Sequence, residues 1–396
     1  MQKMRFDELQ LSQETEKAVA DMGFEKLTPI QAQAIPLVIE GRDVVGQAQT
    51  GTGKTLAFGI PIVELLGRNS RNLEALVICP TRELAIQVSG ELKKLAGYRK
   101  DVNVVTVYGG QPIQRQIADL KKAARIVVGT PGRIIDHMNR GTLRLGMVKI
   151  VVLDEADEML DMGFLDDVET ILGATAPQRQ TLLFSATIPR TILALARKYQ
   201  KDSQMVNVVS SQLTVPEVEQ TYFEVSQGTK LDVLCRLIDT YKLDSSLVFC
   251  NTKRQVDKTA RELQTRGYRA DSLHGDMTQS RRESTMLKFR KKLSKILVAT
   301  DVAARGLDVE GIEAVINYDL PRDEQYYVHR IGRTARMGKG GRAITLILSY
   351  EIGQLLAIQR YAKTKITRQP TPTQKATPTV QGQAVDANRK RGILCL

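Results

Sequence analysis

The sequence predicts an α/β fold in which each of two tandem domains contains a mostly parallel sheet flanked by helices. Three observations support this fold class. Short apolar runs recur along the chain, the segments between them are long enough for crossover helices, and the 396 residues exceed the usual size of one domain. Because 42% of the residues are hydrophobic, the chain also has enough apolar side chains for two cores.

Six apolar runs in the first half predict the strands of the first sheet. Most of their residues are aliphatic over consecutive positions, which is typical of strands that are buried on both faces. The candidate strands are Asp43–Gly46, Ala75–Cys79, Asn103–Tyr108, Arg125–Gly129, Lys149–Leu153 and Thr181–Phe184. Their alternation with helix-length segments predicts parallel pairing.

Five further runs predict a second sheet of the same kind. The candidate strands are Ser246–Cys250, Arg269–Leu273, Lys295–Ala299, Ala314–Tyr318 and Gly341–Leu348. Between the two halves the pattern lapses over residues 202–216, and we place the linker at 208–215. The predicted organisation is therefore a first domain at 1–207, a second domain at 216–366 and a basic tail at 367–396.

The charge of the chain favours a polyanionic partner. The net charge is +13, and residues 363–396 carry seven basic residues against one acidic residue. Because this tail is rich in Thr, Pro and Gln, it predicts disorder, either as an unstructured end or as a nonspecific anchor for nucleic acid. Aromatic residues make up only 5% of the chain, so contacts to phosphate and sugar are favoured over base stacking.

Several other classes of protein are disfavoured. The four cysteines are scattered without a CxxC pair, and the three histidines lack the spacing of zinc ligands. No apolar run reaches the length of about 18 residues that a membrane span needs. The first ten residues lack an apolar signal region, and we therefore expect a cytoplasmic protein with reduced thiols.

A phosphate-binding loop is predicted at residues 48–55, AQTGTGKT, directly after the first candidate strand. The pattern is that of a P-loop with Ala48 at its first position, and such loops bind phosphates through backbone N–H groups and the following helix N-terminus. Lys54 would neutralise the β- and γ-phosphates, and Thr55 would offer its hydroxyl to Mg²⁺. The predicted nucleotide contacts in this loop are Ala48, Thr50, Gly51, Thr52, Gly53, Lys54 and Thr55. The alternative interpretation is a glycine-rich turn without a ligand.

The acidic run Asp154-Glu155-Ala156-Asp157 follows another apolar strand. Carboxylates at the end of a buried strand are costly unless they bind a cation or perform acid–base chemistry. Asp154 would bind Mg²⁺, and Glu155 would orient and deprotonate the attacking water. The alternative is a solvated acidic helix start, because acidic residues favour helix N-termini.

Two arginines in the second half are candidates for catalysis. Arg333 and Arg336 are three positions apart, so one helical turn could direct both side chains the same way. The second half has no P-loop of its own, and these arginines could therefore reach the γ-phosphate across a cleft between the domains. Their alternative role is a surface salt-bridge face.

With these residues assembled, the chain resembles the DEAD-box RNA helicases of helicase superfamily two, and specifically a bacterial member. The resemblance spans about residues 5–362, and the family motifs occur in order. They are GFEKLTPIQ (23–31), AQTGTGKT (48–55), PTREL (80–84), Gly109-Gly110, TPGR (130–133), DEAD (154–157), SAT (185–187), VFCNTK (248–253), HGDM with Gln279 and Arg282, ATDVAARGLD (299–308) and HRIGRTAR (329–336). The resemblance implies two tandem RecA-like domains that bind ATP and Mg²⁺.

The resemblance also implies further roles in the nucleotide site. Gln31 would recognise adenine with the help of Thr28, Phe24 would stack on the ring with Phe6 behind it, and Asp308 would bind the ribose. A network that couples hydrolysis to the interface between domains is implied for Asp157, Ser185, Thr187 and His329.

An RNA-binding surface is likewise implied by the resemblance. Its members would be Pro80, Thr81, Arg82, Gly109, Gly110, Thr130, Gly132 and Arg133 in the first domain and Thr252, Gly275, Gln279, Arg282 and Thr300 in the second. Glycines permit close approach of a backbone, and arginines pair with phosphates, although an ordinary turn is the alternative for any one glycine. The chain departs from the family pattern at Ala335, where Gly is usual, and at Met337, where Ala is frequent.

The expected function is ATP hydrolysis on RNA with local unwinding of short duplexes or remodelling of RNA–protein complexes. ATP and RNA would each bind across the cleft and favour its closure. The main alternative is an ATP-gated RNA clamp that unwinds little, and a DNA-directed helicase or translocase is a third possibility. Contacts to 2′-hydroxyls would select RNA over DNA.

Overall fold

The computed structural model describes residues 4–48, 51–68, 70–208, 218–304, 311–334 and 340–372. Within them the chain forms two sheets of seven strands, and every pair of neighbouring strands in both sheets is parallel. Helices flank both sheets, so the predicted fold class is confirmed. No helix in the described ranges is both long enough and apolar enough to cross a membrane.

The first sheet has the strand order β3-β4-β2-β5-β6-β1-β7. Its strands are β1 Val44–Gln47, β2 Ala75–Ile78, β3 Val104–Val107, β4 Ile126–Gly129, β5 Ile150–Asp154, β6 Gln180–Ser185 and β7 Gln204–Asn207. The helices of this half are a short 3₁₀ helix at Phe6–Leu9 and α1 Gln13–Asp21, α2 Pro29–Ile39, α3 Lys54–Leu65, α4 Arg82–Leu95, α5 Ile113–Leu120, α6 Pro131–Asn139, α7 Ala156–Asp161, α8 Leu165–Gly173 and α9 Arg190–Tyr199.

The second sheet has the corresponding order β10-β11-β9-β12-β13-β8-β14. Its strands are β8 Val218–Glu224, β9 Ser246–Phe249, β10 Ala270–Leu273, β11 Ile296–Ala299, β12 Ala314–Asn317, β13 Gly341–Ile347 and β14 Thr367–Arg368. The helices are α10 Lys230–Tyr241, α11 Lys253–Thr265, α12 Gln279–Arg290, α13 Asp301–Ala304, α14 Glu324–Ile331, a 3₁₀ helix at Ser349–Glu351 and α15 Ile352–Ala362.

Strand β2 shows why the short apolar runs become central strands. All four of its residues are buried, with Ala75 and Val77 in the core on one face of the sheet and Leu76 and Ile78 in the core on the other. A strand covered by helices on both faces needs apolar side chains at every position, so its sequence does not alternate. The same reasoning holds for the fully buried strands β4, β9, β11 and β12.

All eleven predicted strands are present, and each end lies within one residue of the prediction. Strands β7, β8 and β14 were not predicted. Strand β7 is an edge strand of mixed polarity inside the region where the pattern lapses, and β8 mixes buried with half-exposed side chains.

The prediction of a disordered tail from residue 367 is wrong at its start. Thr367 and Arg368 pair with β8, and Arg236 Nη1 donates a hydrogen bond of 3.2 Å to the carbonyl oxygen of Pro372. Residues 373–396 and most of the predicted linker, 209–215, lie outside the described ranges. The domain boundaries therefore stay predictions.

Candidate nucleotide and RNA sites

The phosphate-binding loop follows the carboxyl end of β1 and leads into α3, which begins at Lys54. Gly51 and Gly53 have backbone φ angles of 83° and 86°, which glycine adopts at little cost. A Cβ atom at Gly53 would lie 2.3 Å from Gln31 Nε2, so any other residue there would displace the Gln31 amide. The described glycines of this loop therefore have backbone conformations that suit a phosphate cradle.

Lys54 is the clearest sign of an anionic ligand. Its side chain is buried, with 6% exposed, and its Nζ has no hydrogen-bond partner in the described part of the chain. An ammonium group loses its hydration on burial and needs a compensating partner. The terminal phosphates of a nucleotide would provide that partner.

The predicted acidic pair lies at the end of β5. Asp154 is the last residue of the strand, and burial raises the pKa of its carboxyl to about 7, although the nearby Lys54 opposes this effect. Glu155 has a φ of 51°, which is uncommon for a residue other than glycine, and its buried Oε2 has no hydrogen-bond partner in the described chain. Asp154 Oδ1 accepts a hydrogen bond of 3.0 Å from the Glu155 backbone N–H, whereas the Glu155 side chain makes no capping hydrogen bond to α7.

The oxygen atoms of Thr55 and Asp154 suit Mg²⁺, which prefers hard oxygen ligands. No cluster of three or more His, Cys, Asp or Glu side chains within the described ranges could bind a metal by itself. A cation at this place would therefore be shared with the phosphates and water, as is usual for Mg²⁺ in nucleotide sites.

Gln31 joins the predicted adenine pocket to the phosphate loop. Its Oε1 accepts a hydrogen bond of 2.9 Å from the Thr28 backbone N–H, and its Nε2 donates one of 3.1 Å to the Gly53 carbonyl. The hydroxyl of Thr28 is buried without a hydrogen-bond partner in the described chain, and the ring of Phe24 is 41% exposed. Phe6 is buried, as expected of a residue behind the pocket.

Three members of the predicted coupling network are in contact. Asp157 Oδ2 accepts hydrogen bonds of 2.8 Å from both the backbone N–H and the hydroxyl of Thr187, and Ser185 Oγ accepts one of 3.2 Å from the Asp157 backbone. His329 differs, because its Nδ1 lies 2.6 Å from Oε1 of Glu158. Burial lowers the pKa of His329, but Glu158 outweighs burial and leaves the pKa above its usual value.

The second half also contains a buried arginine that sequence reasoning missed. Arg330 is 1% exposed and makes two bonds to Asp301, of 2.5 and 2.7 Å, and further bonds to Asn317 and Asn251. Its neighbour Arg333 is 6% exposed. The paired Arg330 therefore orders this segment.

Some positions singled out in the sequence lie outside the described residues. They are Thr50, Asp308, Ala335, Arg336 and Met337.

A cleft of about 530 Å³ lies between the two sheets. Nine of the predicted RNA-binding residues line it, namely Pro80, Thr81, Arg82, Gly109, Thr130, Gly132, Arg133, Gly275 and Arg282. Two further predicted residues, Gly110 and Gln279, do not line the cleft but contact Arg82, which does. The remaining two make local helix contacts: Thr252 caps α11, and Thr300 accepts a hydrogen bond from the Ala303 backbone N–H. Sequence reasoning missed the lining residues Glu83, Met162, Phe164, Met277 and Val302.

Arginine side chains make polar contacts across this cleft in the described part of the chain. Arg82 Nη1 donates a hydrogen bond of 2.9 Å to Gln279 Oε1, and Arg282 donates two to Glu83 Oε1, of 2.7 and 3.1 Å. Both arginines are among those predicted to bind RNA. Elsewhere between the domains, Gln325 donates a bond of 2.8 Å to Asp161.

The tandem parallel sheets, the phosphate loop after β1 and the acidic residues after β5 define a P-loop nucleoside triphosphatase with two RecA-like domains. Residues 28–195 match the DEAD/DEAH box helicase family, and residues 229–338 match the helicase conserved C-terminal domain. The chain is 54% identical to the DEAD-box ATP-dependent RNA helicase CshA of Geobacillus kaustophilus, over 93% of this chain and 79% of that protein. It therefore belongs to the DEAD-box ATP-dependent RNA helicases, which are RNA-dependent ATPases.

Comparison with solved structures adds information on the arrangement of the domains. S. cerevisiae Dbp5 bound to RNA and ADP BeF3 is 32% identical with a TM-score of 0.83, over 93% of this chain and 96% of that one. A DEAD box protein from Methanococcus jannaschii is 47% identical but has a TM-score of only 0.54, over 92% and 99%. The domains are thus arranged as in the RNA-bound Dbp5, although the Methanococcus jannaschii protein is more similar in sequence.

Proposed function

We propose that the chain hydrolyses ATP when RNA occupies the cleft, and that closure of the domains locally unwinds short duplexes or remodels RNA–protein complexes. The single observation that carries this proposal is a cleft lined by the predicted RNA residues of both domains. A ligand that contacts both walls stabilises the closed state by the difference between its affinities for the closed and open states. Closure around one strand is incompatible with a continuous duplex.

In the nucleotide site, Lys54 would neutralise the β- and γ-phosphates, and Glu155 would orient the attacking water and accept its proton. Thr55 and Asp154 would hold Mg²⁺, which supplies additional positive charge beside the phosphates. Arg333, together with Arg336, would stabilise the charge that develops on the γ-phosphate, in the manner of an arginine finger. Gln31 would select adenine through its amide.

Communication between the two sites is proposed to run through the end of β5. Asp157 is bonded to Thr187 and Ser185 of the first domain, and the adjacent Glu158 contacts His329 of the second. A movement of Glu155 during hydrolysis would therefore be transmitted to both domains, because Asp157 and Glu158 are only two and three positions further along the chain. Coupling of this kind is reciprocal, so RNA binding should also raise the affinity for ATP.

The cleft supports recognition of RNA that is largely independent of sequence. Its arginines suit phosphates, and its glycines permit close approach of the sugar–phosphate backbone. The alternative of an ATP-gated clamp also has an observation in its favour. Arg282 bonds Glu83 and Gln325 bonds Asp161, so direct contacts between the two domains would add to the stability of a closed clamp.

The first test is the ATPase rate with and without single-stranded RNA, with single-stranded DNA as the control. The proposal predicts strong stimulation by RNA alone, followed by ATP-dependent separation of a short duplex. The Glu155→Gln variant should bind ATP while hydrolysing it about a hundred-fold more slowly, because its amide cannot accept a proton. Equal stimulation by DNA would overturn the RNA preference, and long retention of RNA without unwinding would favour the clamp.

A further inference from the structure

A buried polar network lies directly beneath the RNA cleft, and Gln116 is at its centre. Gln116 is the one buried residue of helix α5, with 4% of its surface exposed. The apolar positions Ile113, Ile117 and Leu120 of the same helix remain partly exposed. A helix that buries an amide in preference to its aliphatic residues indicates that the amide has a specific role, because an unsatisfied buried amide is costly.

Gln116 joins two segments of the cleft wall that are distant in sequence. Its Nε2 donates a hydrogen bond of 2.9 Å to the carbonyl of Tyr108, the residue before Gly109. Its Oε1 accepts bonds of 3.2 Å from Arg133 Nη1 and 3.1 Å from His137 Nε2. One amide thus contacts the glycine loop on one side and a cleft arginine on the other.

His137 is the third partner of this amide. Its ring is fully buried, and burial, followed by the charge of Arg133, lowers the pKa of the imidazole. A neutral ring is therefore favoured at neutral pH, with Nδ1 2.8 Å from Thr142 Oγ1 and Nε2 3.1 Å from Gln116 Oε1. Because Arg133 can only donate and the Tyr108 carbonyl can only accept, the Gln116 oxygen faces Arg133 and His137 and the amide nitrogen faces Tyr108, so a neutral His137 donates from Nε2.

The same network restricts the groups that face the cleft. Arg133 is held by Gln116 and by the carbonyl of Gln111, which is also 3.2 Å from its Nη1. The glycine loop packs against Arg82 so closely that a Cβ atom at Gly110 would lie 2.3 Å from Arg82 Nη1. An arginine that is already ordered loses less conformational entropy when it binds a phosphate.

We propose that Gln116 is a positioning residue for RNA binding, which orders Arg133 and the Gly109-Gly110 loop before RNA arrives. This inference rests on the proposed function, because it assumes that the cleft binds RNA. Gln116 itself is buried and would not touch the nucleic acid. Its effect should therefore appear in the affinity for RNA and not in the chemistry of hydrolysis.

The first experiment measures the RNA dependence of ATP hydrolysis in Gln116→Leu, which keeps a similar volume but makes no hydrogen bonds. The KM for RNA should rise about ten-fold, whereas kcat at saturating RNA and the rate without RNA should stay within about two-fold of the parent. The matched control is Gln114→Leu, since Gln114 is exposed on the same helix. The control should behave as the parent does.

A second variant separates positioning from packing. Gln116→Glu keeps an acceptor for Arg133 and His137 but cannot donate to the Tyr108 carbonyl, so its KM should lie between those of the parent and the Leu variant. The new carboxylate should also raise the pKa of His137, which a ¹H NMR titration of the three histidines would detect. This titration remains informative even where Gln116→Leu does not fold.

An unchanged KM in a folded Gln116→Leu protein would overturn the inference, as would an unshifted His137 titration in Gln116→Glu. A parallel loss of kcat and folded fraction in both variants would also overturn it, because that result indicates a purely structural role. The proposed function fails in a different way, through absence of RNA stimulation in the parent protein. The two failures are therefore distinguishable.

Discussion

The two ends of the first sheet both bury charged side chains, but the charges are arranged differently. At the amino ends of the strands, Arg125 is fully buried and bonds Glu74, Asp101 and the carbonyl of Gly67. Arg99 adds two bonds to Asp101, of 2.9 and 3.0 Å, and holds the pKa of that carboxyl well below its usual range. Opposite charges lie side by side throughout this cluster.

At the carboxyl ends, by contrast, charges are buried without such partners. Lys54 Nζ and Glu155 Oε2 have no hydrogen-bond partner in the described chain, and the pKa of Asp154 is raised. Opposite charges that bond to each other stabilise the fold, whereas buried charged groups without a hydrogen-bond partner at a loop indicate a site for a charged ligand. The comparison therefore predicts that substitutions at the amino ends reduce stability, while those at the carboxyl ends mainly reduce activity.

The largest expected effect is on stability at the amino ends. Arg125→Ala should lower the free energy of unfolding by about 3–5 kcal/mol, because the buried Glu74 carboxylate loses its guanidinium partner and keeps only Lys149. Chemical denaturation measures the loss, and kcat per folded molecule should not change. The control is Arg42→Ala, whose exposed pair with Asp202 should contribute about 0.5 kcal/mol or less. Equal losses in both variants would contradict the comparison.

At the carboxyl ends, Lys54→Ala should reduce ATP hydrolysis by about 10²–10³-fold, because the phosphates lose a preorganised positive charge. The melting temperature without nucleotide should not fall, since the substitution removes a buried ammonium that has no hydrogen-bond partner in the described chain. Lys93→Ala, on the exposed side of α4, is the control in the ATPase assay. Near-parental hydrolysis in Lys54→Ala would refute the assignment of the phosphate site.

A third effect, on stability, is expected for Asp154→Asn and should depend on pH. The folded-state pKa of Asp154, about 7, lies above the unfolded value of about 3.9, so the folded protein binds the proton more tightly. This contribution to stability is present below pH 4 and is lost as the pH rises through 7. The variant should therefore be more stable than the parent at pH 8 and similar to it at pH 4, in melting curves recorded without Mg²⁺ or nucleotide. A difference independent of pH would contradict the expectation.

The smallest expected effect concerns nucleotide choice. Gln31→Ala should reduce the preference for ATP over GTP by about ten-fold, because the amide that would pair with adenine is removed. Competition binding with the two nucleotides measures this preference. Gln33→Ala, an exposed substitution on the same helix, should leave it unchanged. An unaltered preference in Gln31→Ala would show that Gln31 does not select adenine and that its role is confined to the hydrogen bonds with Thr28 and Gly53.

The sequence was informative where one local property decides the structure. Central strands such as β2 could be predicted because burial on both faces requires an uninterrupted apolar run. The phosphate loop could be found because it follows such a strand, and Asp154 because it ends one. Strand β14 was missed because two exposed residues, Thr367 and Arg368, carry no pattern that distinguishes a strand from a tail.

Contacts between distant residues could not be predicted from the sequence. Arg282 and Glu83 are 199 positions apart, and Gln325 and Asp161 are 164 apart. Gln116 offered no signal either, because a glutamine in a polar helix is ordinarily exposed. Its burial depends on Tyr108, Arg133 and His137, which the fold brings together.

The pairing of β8 has a consequence for the synthesis of the chain. β8, near residue 220, lies between β13 and β14, and β14 ends at Arg368. A nascent chain therefore carries β8 without either neighbour while about 120 further residues are translated, or about 6–24 s at 5–20 residues per second. The first sheet, whose last strand ends at Asn207, can assemble during that time. A ribosome that stalled before β13 would thus present a finished ATP-binding half beside an open strand edge, which is a ready site for a chaperone or for aggregation.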